Sequence, residues 1–199
     1  IKVIVIGLDM QMDISNALGI ESISDESDYD LEEIDRKMNS IDSLYDFYQK
    51  TVKLNAIIQK TDLPTLDFIP ESSALTALSD IIVGETKREY WLLDNVIKPL
   101  KEIYDLVVLD CSPNWNQLVT NALTSCDILL SPIECKINHY RNLPYFLNNL
   151  GKFKKKMNLA FQEIYVPVRY TISKKLSSQI KRHYFANVKD CTNTAIRDS

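Results

Sequence analysis

Apolar residues follow two different spacings along the chain, and segments of the two kinds alternate. Short, nearly continuous apolar runs rich in β-branched residues predict buried parallel strands, whereas apolar residues that recur every three or four positions predict helices. The predicted strands cover residues 1–9, 66–72, 105–110, 127–132 and 163–168. The predicted helices cover residues 12–20, 41–60, 73–84, 88–103, 116–126, 138–156 and 174–185. This alternation predicts a single doubly wound α/β domain, with a mostly parallel sheet and helices on both faces.

Capping and helix-breaking residues set the expected boundaries of these elements. They place Asp42 or Ser43 near the start of the second helix, Ser72 or Ser73 at the start of the third, a kink or break near Pro99, and a last short sheet edge near Val188. Residues 21–35 carry eight acids. They are predicted to form a solvated, mobile connection after a helix that ends at Gly19.

The overall composition is that of a globular protein with one sizeable core, since 45% of the 199 residues are hydrophobic and 25% are charged. No apolar run reaches the roughly eighteen residues that a membrane span requires, and no signal-peptide pattern opens the chain. The four cysteines show no CxxC spacing. This favours reduced thiols in a cytoplasmic protein over a zinc site.

Charge is distributed unevenly along the chain. Residues 1–135 carry 10 Lys and Arg against 24 Asp and Glu, whereas residues 136–199 carry 13 against 3. A basic part on an otherwise acidic molecule predicts a polyanionic partner, for which nucleic acid is one candidate. The alternative is a solvated surface whose charges simply fall unevenly along the sequence.

Two acids stand where buried apolar strands end. Asp9 follows the first strand, and Asp110 ends the run "DLVVLD". Because ligands of open α/β sheets bind beyond the carboxyl ends of the strands, both carboxylates are expected to face one crevice. A buried carboxylate is costly unless it meets a donor or a cation, and hydrated Mg²⁺ with a phosphate suits such a crevice. The alternative is that each acid caps the helix that follows it.

Five segments, taken in order, resemble the ParA family of DNA-partition ATPases, which are of the deviant Walker type. These segments are "VIVIGLDMQMDIS", "LDFIPES", "YDLVVLDCSPNWNQLVTNALTSCDILLSPIEC", "VPVRYTISKKLSSQI" and "CTNTAIRDS". They are similar to the family's Asp-x-Asp-Pro-Gln strand end, its "LDLIPA" strand, its Walker B segment with the next helix and strand, and the two segments around its base pocket. The resemblance runs the whole length of the chain.

The chain departs from the family's pattern at several places. Gly7 stands where the family has the first acid of its pair, Met10 stands in place of proline, and only the asparagine of the Pro-Arg-Asn segment remains, as Asn193. No Walker A loop is found, since none of the four glycines lies in a GK[ST] motif. Residues 1–199 are therefore expected to be an internal portion of a ParA-like ATPase domain, lacking its N-terminal P-loop unit and its C-terminal end. The rival interpretation is an ATPase relic that never binds nucleotide.

The resemblance implies an ATPase with ATP and Mg²⁺ as cofactors. It implies that Asp110 holds Mg²⁺, through water, and that Asp9 orients or deprotonates the attacking water. Arg169 and Asn193 would flank the adenine base. The family's activity further implies an ATP-dependent homodimer that binds non-specific DNA and releases it when a ParB-type centromere-binding protein stimulates hydrolysis. Such a protein would be cytoplasmic and associated with the nucleoid, with no membrane partner.

The basic residues after position 135 supply the candidates for DNA contact, led by phosphates and tolerant of sequence. They are Lys152, Lys154, Lys155, Lys156, Lys174, Lys175, Lys181 and Arg182. For each lysine alone, a solvated helix end is the competing interpretation. Two alternatives for the whole protein remain open: a MinD-like membrane-cycling ATPase, and a DNA-binding relic without nucleotide.

Overall fold

The computed structural model describes residues 1–11, 13–18 and 41–198. It divides the chain into two compact units, Ile1–Ser125 and Cys126–Ser199. The expected helix end at Gly19 and the expected connection over residues 21–35 lie outside the described residues. Both units combine helices with parallel strand pairs, so the prediction of an α/β fold with a mostly parallel sheet is confirmed.

The first unit is organised around a sheet in the order β2-β3-β1-β4. Its strands are β1 (Val3–Leu8), β2 (Gln59–Lys60), β3 (Leu66–Ile69) and β4 (Leu106–Cys111). The central strand β1 pairs in parallel with β3 and with β4, whereas β2 is antiparallel to β3. Ile4, Ile6 and Leu8 share one face of β1 and are almost completely buried, whereas Val3 and Val5 on the other face are partly buried.

Helices pack on this sheet through regularly spaced apolar residues such as Leu75, Leu78 and Ile82. The α-helices are α1 (Asp13–Leu18), α2 (Leu44–Tyr48), α3 (Leu75–Ile82), α4 (Lys98–Lys101) and α5 (Gln117–Ser125). The chain enters α4 through a π-helical turn over Leu93–Ile97. The helix is continuous over residues 91–101. The π-helical turn ends two residues before Pro99, which lacks the backbone N–H that a regular helix would use. The irregularity predicted near Pro99 therefore takes the form of this turn and not of a break in the helix.

The second unit contains two parallel strands, β5 (Ile128–Glu134) and β6 (Gln162–Val168). Two helices pack with them, α6 (Ile137–Met157) and α7 (Lys175–Asn187), around a core that includes Ile133, Tyr165 and Tyr184. The C-terminal segment runs beside β6 and forms parallel bridges between Tyr165 and Cys191 and between Tyr170 and Arg197. The predicted last edge therefore exists, a few residues beyond Val188.

The second predicted helix is much shorter than expected. Ser43 does cap it, in a capping box with Asp46, but the helix ends at Tyr48 rather than near residue 60. Lys50 adopts a left-handed backbone conformation with φ of 59°. Its N–H donates to Phe47 O, and the next N–H donates to Asp46 O. These two bonds form the Schellman arrangement that ends helices, here without the usual glycine.

Within the ranges that the structure describes, the first turn of α3 has no side-chain cap. The expected side-chain cap of α3 by Ser72 or Ser73 is wrong, because Ala74 occupies the cap position and the Leu75 N–H donates to the Ser72 backbone carbonyl. Among the described residues, no helix combines the length and the apolarity needed to cross a membrane.

Candidate active site

Asp9 and Asp110 lie at the carboxyl ends of neighbouring strands. The parallel register of β1 and β4 places Gly7 opposite Asp110 and Leu8 opposite Cys111. Asp9 follows β1 directly, and its carboxylate accepts a hydrogen bond from the Gln11 N–H at 3.3 Å. The structure thus brings the two acids that the sequence singled out to the same edge of one sheet.

Asp110 is half-buried at this edge and is surrounded by other acids. Burial raises the pKa of its carboxyl group above the ordinary value, and the negative charges of Glu71, Asp9 and Asp13 raise it further. Among the residues that the structure describes, no donor forms a hydrogen bond with the Asp110 carboxylate. A carboxylate in this setting is stabilised by a cation, so the electrostatics favour binding of a positive ion.

Among the described residues, neither strand-end acid bonds a first-turn N–H of the helix that follows it. In α1, the N–H groups of Ile14 and Ser15 donate to the two carboxylate oxygens of Glu71, both at 3.0 Å. In α5, the Val119 N–H donates to Asn116 Oδ1 at 2.8 Å. Other side chains therefore accept from these three N–H groups, which argues against the capping alternative for Asp9 and Asp110.

Glu71 is the functional candidate that sequence reasoning missed. It follows β3 and is only 3% exposed, and it also bonds the Ser15 hydroxyl. Its side chain lies directly over Gly7, where a Cβ atom would be 2.8 Å from Glu71 Oε1 and closer still to Cγ and Cδ. The signal in the sequence is a third acid near the end of a predicted strand, in "LDFIPES".

The donor set at this edge fits a hydrated magnesium ion. In the described part of the chain, no group of three or more His, Cys, Asp or Glu side chains could hold a metal alone. Mg²⁺ normally keeps several waters and takes one or two carboxylates together with substrate phosphates. Asp110, with Asp9 nearby, offers what such an ion needs, whereas zinc or calcium would require more protein ligands.

In the second unit, Arg169 is held by an acid at the end of β5. Its guanidinium donates to Glu134 Oε1 at 3.0 Å, and Lys136 and His139 approach the other Glu134 oxygen at 3.3 and 3.4 Å. Partial burial acts to raise the pKa of Glu134, but the hydrogen bond from Lys136 and the charges of His139, Lys136 and Arg169 outweigh it, so the pKa is lowered. Arg169 also adopts a left-handed backbone with φ of 52°.

Asn193 lies on the C-terminal segment that runs beside β6. That segment is fixed by bonds from the Thr192 N–H to Tyr165 O and from the Ile196 N–H to Pro167 O, each at 2.9 Å. Arg169 therefore follows the end of β6, and Asn193 lies on the segment beside the same strand. No hydrogen bond joins their side chains within the described residues, and both are exposed.

The lysines near the end of α6 differ in exposure: Lys154 contacts the protein, and the others are exposed to solvent. Lys154 donates to the Phe161 carbonyl oxygen and pairs with Glu163, and its Nζ lies 4.3 Å from the centre of the Phe161 ring. The ammonium group of Lys154 is therefore occupied inside the unit, and we do not retain Lys154 among the candidates for DNA contact. The exposed lysines of this helix are Lys152, Lys155 and Lys156.

The start of α7 presents a second basic group. Lys174, Lys175 and Arg182 are exposed. Lys181 is partly covered, because its Nζ lies 3.7 Å from the centre of the Tyr170 ring. Within the described residues, none of the four forms an ion pair with an acid, so their charges are available to an external anion.

Comparison with known proteins assigns the chain to a family. A family model described as "AAA domain" matches residues 1–163. The chromosome partitioning protein ParA of Caulobacter vibrioides is 25% identical over 155 residues, covering 74% of this chain and 58% of that protein. The sporulation initiation inhibitor protein Soj of Bacillus subtilis is 27% identical over 157 residues, covering 79% and 56%. The chain thus spans less than two thirds of these relatives.

Solved structures share the fold at lower sequence identity. Cobyrinic acid a,c-diamide synthase from Mycobacterium smegmatis, with a bound ATP analog and magnesium, is 20% identical with a TM-score of 0.73, covering 94% of this chain and 70% of that one. A variant of McdA from Cyanothece in complex with ATP is 18% identical with a TM-score of 0.75, covering 98% and 70%. On the profile match and the relatives together, the chain belongs to the AAA domain family and, within it, to the ParA family.

Proposed function

We propose that the full-length protein is a ParA-type ATPase that partitions plasmid or chromosomal DNA through a nucleotide-controlled homodimer. The observation that carries this proposal is the position of Asp9 and Asp110 at the carboxyl ends of the adjacent parallel strands β1 and β4. In α/β sheets this edge is where ligands bind. Relatives that are chromosome partitioning proteins support this proposal over a MinD-like enzyme or a nucleotide-free relic.

The two acids would have different tasks. Asp110 is half-buried among like charges and would hold Mg²⁺ through water, and the bound ion would neutralise charge on the phosphates of ATP. Asp9 is also partly buried, and one of its oxygens accepts from the Gln11 N–H. Its other oxygen is available to orient the attacking water or to accept its proton.

The base of ATP would be recognised in the second unit. Arg169 and Asn193 lie beside the end of β6, and the bond from Arg169 to Glu134 fixes the direction of the guanidinium group. A planar guanidinium held in this way can stack on an aromatic base. Glu134 would therefore position Arg169 rather than contact the nucleotide.

DNA would be bound through phosphates by the exposed basic residues of α6 and α7. These residues are Lys152, Lys155, Lys156, Lys174, Lys175 and Arg182, with Lys181 partly covered. Such contacts are independent of base sequence. A homodimer would present two of these surfaces, so ATP-dependent dimerisation would raise the avidity for DNA. A ParB-type protein would release the DNA by stimulating hydrolysis, and the protein would be cytoplasmic and associated with the nucleoid.

The test is hydrolysis and DNA binding by the full-length protein. We expect phosphate release from ATP that requires Mg²⁺, and DNA binding that is stronger with ATP than with ADP. A calorimetric titration that detects no ATP binding, with or without Mg²⁺, would refute the proposal. Sequence-specific binding to one duplex only would contradict its DNA component.

A further inference from the structure

The Glu71 side chain fills the space that a side chain at position 7 would need. Gly7 lies in β1 opposite Asp110, and the Glu71 side chain rests where a side chain at position 7 would begin. Real Cβ atoms do not approach other atoms as closely as a Cβ on Gly7 would approach Glu71. Glycine is therefore required at position 7 because of Glu71, and not because of the backbone conformation of β1.

The Glu71 carboxylate is fully engaged with the start of α1. Oε1 accepts from the Ile14 N–H, and Oε2 accepts from the Ser15 N–H, each at 3.0 Å. The Ser15 hydroxyl donates to Oε2 and accepts from the Glu71 N–H at 3.3 Å. Glu71 and Ser15 are 3% and 0% exposed. A buried carboxylate with several donors is a strong tie between the end of β3 and the first turn of α1.

This tie lies at one end of the segment that carries Asp9. The backbone between the end of β1 at Leu8 and the start of α1 at Asp13 is short, and Asp9 lies in it. One end of the segment is fixed by the sheet, and the other end is fixed by Glu71. A shift of α1 would move the Asp9 carboxylate relative to Asp110.

We propose that Glu71 is a positioning residue of the active site, which fixes the turn that carries Asp9 by holding the first turn of α1 over Gly7. This inference rests on the proposed function, because it concerns the same site. Glu71 does not touch the nucleotide in this proposal. It acts through the backbone of α1.

A carboxylate at position 7 of β1 can replace the carboxylate that Glu71 supplies after β3. An aspartate at position 7 carries its carboxyl carbon about 1.5 Å beyond Cβ. That Cβ would lie in the volume that Glu71 Cγ and Cδ fill. Once Glu71 is alanine, Gly7→Asp can place a carboxylate in the space that the Glu71 carboxylate leaves. The double variant Gly7→Asp/Glu71→Ala therefore restores the same acceptor from the opposite side.

The experiment compares Glu71→Ala, Gly7→Asp and the double variant with the wild-type full-length protein. Misplacement of a catalytic group by about 1 Å can cost up to about a hundredfold in rate. We therefore expect Glu71→Ala to lower kcat by between about tenfold and a hundredfold, with little change in KM for ATP. Gly7→Asp alone should be at least as impaired, because Glu71 is still present. The double variant should recover most of the lost kcat.

Asp67→Asn is the matched control. Asp67 is another buried acid of β3, 4% exposed, but it bonds Tyr104 and Lys60 rather than α1. Its loss should lower stability while kcat per folded molecule stays unchanged. Wild-type kcat in Glu71→Ala would overturn the proposal. So would a folded double variant whose kcat is no higher than that of Glu71→Ala.

A second measurement covers the case in which the double variant does not fold. Hydrogen exchange of peptides that contain Ile14 and Ser15 should be faster in Glu71→Ala than in the wild type and in Asp67→Asn. Unchanged protection would overturn the proposal. The hydrogen-exchange experiment needs no ATP, so its outcome is separate from that of the proposed function. A wild-type protein without ATPase activity would refute the proposed function. Hydrogen exchange would still test the tie between Glu71 and α1.

Discussion

Lys154 and Glu163 form an ion pair, so Lys154 is held against the protein while the lysines that follow it in α6 are exposed. The Lys154 side chain is 22% exposed, and its ammonium group also bonds the Phe161 carbonyl oxygen. Lys155 and Lys156 are the next residues along α6 and are exposed. Adjacent lysines in one run therefore have different surroundings, and the effect of this difference can be measured.

Lys154→Ala should affect stability, and Lys155→Ala should affect DNA binding. Loss of Lys154 leaves the Glu163 carboxylate without its cationic partner, with only the Tyr165 hydroxyl still donating to it, which should cost about 1–3 kcal/mol of unfolding free energy. Lys155→Ala should change stability by less than about 0.5 kcal/mol. Urea denaturation measures the first effect, and fluorescence anisotropy with duplex DNA measures the second. A Lys154→Ala variant of normal stability and reduced DNA affinity would return Lys154 to the DNA surface.

Asp9→Ala in the full-length protein should bind ATP but hydrolyse it slowly. A positioned acid or base contributes about a hundredfold to ten-thousandfold to a proton-transfer step. Phosphate release and ATP titration separate the two effects. The control is Asp62→Ala, which removes an exposed acid elsewhere in the same unit. Normal turnover in Asp9→Ala would exclude the role given to Asp9.

Asp110→Asn should weaken nucleotide binding only when Mg²⁺ is present. The amide keeps the shape of the side chain but removes the charge that attracts the hydrated cation. The affinities for ATP measured by calorimetric titration in magnesium and in EDTA should differ less for this variant than for the wild type. An unchanged difference between the two titrations would mean that Asp110 has no contact with the metal.

The variant Lys174→Ala/Lys175→Ala/Arg182→Ala should bind unrelated DNA duplexes equally weakly. Each lost phosphate contact should lower the slope of log affinity against log salt concentration by about one unit. Lys181→Ala should have a smaller effect, because Lys181 already contacts Tyr170. Lys53→Ala, in the acidic unit, is the control. Fluorescence anisotropy at several salt concentrations, with and without ATP, provides the measurement. If the plots of log affinity against log salt concentration have the same slope for the triple variant and the wild type, these residues belong to the solvated surface.

Asp67 should stabilise the fold in a pH-dependent way. Burial acts to raise its pKa, but hydrogen bonds from Lys60 and Tyr104 outweigh burial and lower it. A lowered pKa means that the contribution is complete above the ordinary value of 3.8 and is lost as the pH falls through the folded-state pKa. Asp67→Asn should therefore cost about 1–3 kcal/mol near pH 7 and less near pH 3. Urea denaturation at both pH values tests this, and an equal cost at both would contradict it.

The sequence predicts well those features that depend on a local pattern. The apolar runs located β1, β3 and β4, and the acids after two of these runs located Asp9 and Asp110. The end of α2 was missed because Lys50, in a left-handed conformation, does what glycine usually does. A single sequence gives no sign that a lysine will adopt that conformation, since the bonds that fix it come from the folded turn.

Glu71 could not be assigned from the sequence for a different reason. Its role depends on the register of β1 with β3 and on the path of α1, which bring residues more than fifty positions apart into contact. Lys154 is a similar case, because Glu163 becomes its partner only when β6 packs near the end of α6. Local spacing identifies candidates, whereas long-range contacts decide which of them are accessible.

The fit between Gly7 and Glu71 also restricts the order in which mutations can accumulate. While Glu71 is present, every side chain at position 7 meets its atoms, so a first mutation there is disfavoured. A first mutation that shortens residue 71 opens the space, and a second at position 7 can then be accepted. The two positions are therefore epistatic, and an evolutionary path that exchanges their side chains passes more readily through the loss of Glu71 first.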